Sequence, residues 1–132
     1  MQISQKRKND QQDNLLEELL REKAAVLTRA SWAVEEVIEK LMKIERGIEE
    51  KKSLLNFSDG DKDSLEISRY KQLICEEINL SIEKFNAVHK KAQTQYYYLI
   101  VTREALGLRR HEMVQKIYRI PDKKKKYELI NG

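Results

Sequence analysis

"LREKAAVLTRASWAVEEVIEKLMKIERGIEEKKSLL", residues 20–55, returns to an apolar side chain every seven positions: Leu20, Leu27, Val34, Leu41, Ile48 and Leu55. Leu16, Ala30, Val37 and Ile44 fill the companion positions. Residues three, four and seven apart share one side of an α-helix. Both rows therefore form a single stripe, the seam of helices that pack lengthwise. Lys23 and Lys51 interrupt it and Ala30 is small, so the seam is weaker than a zipper. The first helix is predicted to start between Asp10 and Asn14. "NLLE", residues 14–17, has capping-box spacing there, a side-chain oxygen with Glu three residues on. Gly47 interrupts the helix at a cost of about 1 kcal/mol relative to Ala and marks a place to bend.

A turn follows. "NFSDGDKDS", residues 56–64, places Asp-Gly between Ser and Asp, and "DSLE", residues 63–66, offers a second capping box. The second helix carries Ile78, Phe85, Ala92, Leu99 and Leu106 at sevens, with Ile67, Ile74 and Val88 on the adjoining line. Ile82, His89 and Tyr96 flank that stripe. Gly107 followed by Leu108 is the pattern of a glycine-terminated helix with a trailing apolar contact. A hairpin centred on Gly60 sets residue i beside residue 120 − i. The unbroken apolar run Tyr96 to Val101 then lies against residues 19–24, where the first helix is also broadly apolar. A helix apolar on several sides has neighbours on several sides.

One such neighbour is in the chain itself. "RRHEMVQKIYRIP", residues 109–121, predicts a short third helix stopped by Pro121, with Met113, Val114, Ile117 and Tyr118 turned inward over the tyrosine run. Another neighbour is implied by Trp32, which falls on the back of the first helix, away from the seam. With Leu19, Val26, Tyr97 and Tyr98 it makes the candidate surface for self-association or for a partner.

The expected architecture is thus all-α: a long antiparallel helical hairpin with a short C-terminal helix, dimerising into a helical bundle. Its helices span about 13–55, 64–106 and 109–119 within one domain, residues 13–121. A basic disordered tail, 1–12, precedes it and a lysine-rich tail, 122–132, follows. Composition agrees. In 132 residues, 36% are charged, 7% are aromatic, and there are four Gly and one Pro. No stretch approaches the roughly 20 uncharged apolar residues that cross a bilayer, and the first residues lack the apolar core of a signal peptide. The expected location is therefore cytoplasmic.

Chemistry-bearing motifs are absent. The single cysteine, Cys75, excludes an internal disulfide and a cysteine-based zinc site. Neither His89 nor His111 has a carboxylate at the spacing of a dimetal site, and no phosphate-binding, dinucleotide or nucleophile-elbow motif occurs. Adjacent acids such as Glu35-Glu36 diverge around a helix and do not share a proton. No catalytic residue, metal or cofactor is expected.

"EALGLRRHEMVQKI", residues 104–117, resembles the second half of a helix-turn-helix, with Ala105, Leu106, Gly107 and Leu108 matching its turn. The resemblance implies that Met113 and Ile117 point inward and that Arg109, Arg110, His111, Gln115, Lys116 and Arg119 face DNA. A glycine-capped helix followed by a docking helix accounts for the same residues. Between Arg103 and Lys126 nine Lys/Arg oppose three acids, and the net +6 there leaves −2 for the rest of a chain of net charge +4. The candidate contacts to an anion or to nucleic acid are Arg109, Arg110, Lys116, Arg119, Lys123, Lys124, Lys125 and Lys126. The functional expectation is a non-enzymatic helical protein–protein interaction module, an adaptor, scaffold or small helical chaperone, that forms a homodimer. The alternative is a nucleic-acid-binding protein using segment 104–119 and the lysine tail.

Overall fold

Val34, Leu41, Ile48 and Leu55, four of the six residues in the opening repeat, are buried where two long helices meet. The computed structural model describes residues 2–57 and 65–129. Its helices are α1 (Gln2–Phe57), α2 (Leu65–Ala105) and α3 (Glu112–Ile117), with no strand among the described residues. α1 and α2 pack on each other as a hairpin. α2 contributes Ile74, Ile78, Ile82, Phe85, His89, Ala92 and Leu99 to the buried seam. Ile82 and His89, expected at the flank, lie inside it and make the companion row, while of the expected adjoining line only Ile74 is buried.

The predicted turn falls mostly on residues 58–64, outside the described residues, and the capping pair at Asp63 goes with it. The far end of α2 is fully described. Gly107 has φ 89°. Its N–H donates to the Glu104 carbonyl at 3.0 Å, and that of Leu108 to the Arg103 carbonyl at 2.8 Å. This pair of bonds is the Schellman cap, which closes a helix on a left-handed residue that glycine adopts without a Cβ penalty.

Four expectations about boundaries and register are corrected. α1 begins at Gln2, so residues 2–12 are helical and not a disordered tail, and "NLLE" lies inside the helix rather than capping it. The hairpin register is the second. Lys51 Nζ donates to Ser81 Oγ at 3.0 Å, and Val34 packs with Leu99. Partners therefore run near 132 − i, not 120 − i. The tyrosine run lies level with residues 31–36, and residues 19–24 lie beyond the end of α2. A seven-residue repeat is satisfied in several registers, so turn position alone does not choose between them.

The third correction concerns α3, which has only six residues. Val114 is buried against Val34 and Leu99, and Tyr118 packs beside it. Met113 and Ile117 instead face outward at 69% and 65% exposure, so the inward packing implied by the helix-turn-helix resemblance is not found. Less than two turns of helix cannot present a second inward row. The fourth concerns residues 122–129, expected as a lysine-rich tail outside the helical domain. They run back in extended conformation along the groove between α1 and α2. Ile120, Tyr127 and Leu129 pack there against the hairpin core.

Candidate functional site

Cys75, His89 and His111 are each at least half-buried. Cys75 is half-buried; its thiol donates to the Tyr127 carbonyl at 3.7 Å and accepts from Asn79 Nδ2 at 3.8 Å. His89 is 6% exposed and its Nδ1 is buried without a hydrogen-bond partner. His111 Nδ1 accepts from Arg103 Nε at 3.3 Å while its Nε2 meets Glu104 Oε1 at 3.2 Å, and Arg103 Nη2 donates to the Arg110 carbonyl at 2.8 Å. These bonds draw residues 110 and 111 back onto the end of α2 and keep them out of α3. Among the described residues, no three or more His, Cys, Asp or Glu gather to hold a metal ion.

The expected partner surface divides in two. Leu19 and Val26 lie on the N-terminal part of α1, below the level where α2 ends. There Leu15, Leu16 and Leu20 are exposed as well. Positions 15, 16, 19, 20 and 26 fall on one side of the helix, an apolar stripe flanked by Glu17, Glu18, Arg21 and Glu22. Trp32, 64% exposed, lies on a different face, higher up α1, as its phase against Leu27 and Val34 implied. Tyr97 and Tyr98 are exposed on α2, their rings 6.1 Å apart and tilted by 53°. These three aromatics therefore sit beside the hairpin core, while the leucine stripe extends beyond it.

The basic residues also separate. Arg109, Arg110, Lys116, Arg119, Lys123, Lys125 and Lys126 are exposed. Lys124 is turned inward: its Nζ lies 3.3 Å from Glu45 Oε1 and 4.8 Å from the centre of the Phe85 ring. It belongs to the seat of the C-terminal segment and is removed from the anion-contact set.

That seat was not legible as such in the sequence. Asn86 Nδ2 donates to the Lys124 carbonyl at 2.9 Å, and its Oδ1 accepts the Lys124 N–H at 2.9 Å. Asn79 repeats the arrangement on Tyr127 at 3.1 and 2.8 Å. Lys52 Nζ stands 5.3 Å from the Tyr127 ring centre. Higher up, the Tyr118 hydroxyl donates to Glu35 Oε1 at 2.7 Å. Partial burial, then that hydrogen bond and the Glu35 charge, raise the Tyr118 phenol above its ordinary 10.0, while the Ser31 hydroxyl pulls the other way. The available signals were the return to apolar side chains at Tyr127 and Leu129 after the lysine run, and two asparagines a heptad apart on a helix whose neighbouring rows are apolar.

No protein-family model, curated protein or solved structure matches this chain.

Proposed function

We propose that the protein is a non-enzymatic helical interaction module that assembles through the N-terminal arm of α1, first of all with a second copy of itself. The observation that supports this is the arm's apolar stripe. Leu15, Leu16, Leu19, Leu20 and Val26 are exposed on a helix that has no partner on α2 at that level. An isolated helix gains most of its stability from packing an apolar face, and scattered exposure does not align five such residues on one side. The stripe suits lengthwise pairing with another amphipathic helix; Trp32 and the Tyr97–Tyr98 pair lie apart from it, beside the hairpin core.

The test is mass by light scattering in low salt and in about 0.5 M salt, where exposed charges are screened and apolar packing is not. The expected result is a dimer in both, returned to monomer by Leu16→Ser with Leu20→Ser. A monomer at every concentration would sink the reading. The exposed set Arg109, Arg110, Lys116 and Arg119 with Lys123, Lys125 and Lys126 favours a second reading, binding to nucleic acid. It predicts retention of duplex DNA that weakens steeply with salt and is lost in Arg109→Glu with Arg110→Glu. Retention undiminished by those substitutions removes it.

A further inference from the structure

The groove between α1 and α2 has the geometry of a reader of extended backbone. Asn79 and Asn86 are seven residues apart on α2, ~10.5 Å of helix at ~1.5 Å per residue. Lys124 and Tyr127 are three residues apart, ~10 Å of extended chain. The two repeats coincide, so each carboxamide meets one residue and makes the same two bonds, Nδ2 to its carbonyl and its N–H to Oδ1. Bonds of this kind ignore side chains. What adds selectivity is Glu45 with the Phe85 ring around one lysine, and Lys52 beside an aromatic ring three residues later.

The resident segment does not exhaust this groove. None of its described residues is fully buried, and Ile120, Tyr127 and Leu129 touch the core only in part. Position 93 carries the same heptad phase as Asn79 and Asn86 and again a carboxamide, Gln93. Gln93 is exposed, and the residue three before Lys124 is Pro121, which has no N–H to offer it. The row of amides thus continues past the point where this segment can use it. The cover is held by the two asparagines, by Lys124 and by partial packing of Ile120, Tyr127 and Leu129, and a terminal segment without a fully buried residue is among the parts of a fold that open first.

We propose that the groove is a recognition site for an extended peptide of a partner protein, one carrying a lysine with an aromatic residue three positions on. The chain's own residues 120–129 are its resident occupant. This inference is independent of the arm: it concerns the opposite end of the chain and a different kind of ligand.

The test uses the full-length chain and a fluorescent synthetic peptide of the sequence of residues 118–129, followed by anisotropy. The tethered segment competes at an effective concentration on the order of millimolar, so it must first be weakened. Lys124→Ala with Tyr127→Ala does so without touching α1 or α2. The expected result is saturable binding to that variant, at least about tenfold tighter than to the unsubstituted chain, and a loss of about tenfold or more when Asn79→Ala and Asn86→Ala are added. If the double variant loses helical circular dichroism, the single Tyr127→Ala chain serves for the same measurement. Absence of saturable binding to the weakened chains at about millimolar peptide, or binding indifferent to the two asparagines, overturns the proposal.

Discussion

Single residues carry measurable consequences. Gly47 lies inside α1, and a Cβ built there meets nothing within 4 Å. The helix gains nothing from its flexibility, so Gly47→Ala should stabilise the chain by about 1 kcal/mol in urea unfolding. A lower midpoint would show that the glycine is needed for the helix path. His89 presents the opposite problem. Its buried Nδ1 meets no donor or acceptor of the protein, and a buried polar atom left unsatisfied costs about 1–3 kcal/mol. Leucine fills a similar volume without that debt, and His89→Leu should raise the unfolding midpoint. A destabilised leucine variant would mean that the imidazole makes a bond through a water molecule. Gly107 differs from Gly47 because its φ of 89° is one that side-chain-bearing residues rarely adopt.

At the scale of elements, the third helix and the segment after it act together. Tyr118 joins them to α1 through Glu35. The folded phenol titrates above its ordinary 10.0, so its contribution to stability is full below that range and is lost as pH rises through the folded value. Alkaline titration should therefore loosen α3 above about pH 10, read as a steeper fall in stability for the unsubstituted chain than for Tyr118→Phe. Equal slopes in the two chains would place the alkaline sensitivity elsewhere. The ion pairs Lys40–Glu36 and Lys52–Glu49, long at 3.9 and 3.7 Å and largely solvent-screened, add little by comparison. The extended segment depends instead on Asn79 and Asn86, which satisfy its backbone where no strand is available.

For the molecule as a whole, the register of the hairpin decides what is exposed. With partners near 132 − i, the first part of α1 projects beyond α2 and its leucines stay uncovered. Spin labels report this directly in a Cys75→Ser background. Labels at Lys51 and Ser81 should lie close, whereas labels at Leu20 and Tyr97 should be further apart by ~20 Å, the axial offset of about a dozen or more residues at ~1.5 Å each. A short Leu20–Tyr97 distance with a long Lys51–Ser81 distance would restore the symmetric hairpin and cover the arm.

The spacing of Val34, Leu41, Ile48 and Leu55 and of Ile78, Phe85, Ala92 and Leu99 determined two long helices packed along their length, because helical periodicity is local and burial follows it. The stop at Gly107 was equally local, a matter of one residue's freedom at positive φ. Tertiary structure alone decided how far the helices slide past each other, since every heptad offers another acceptable match. It also decided that a lysine-rich end would lie in a groove. Charge predicts solvation for such a run; its docking rests on two asparagines at the right height, on Glu45 opposite Lys124, and on Ile120, Tyr127 and Leu129 against the core.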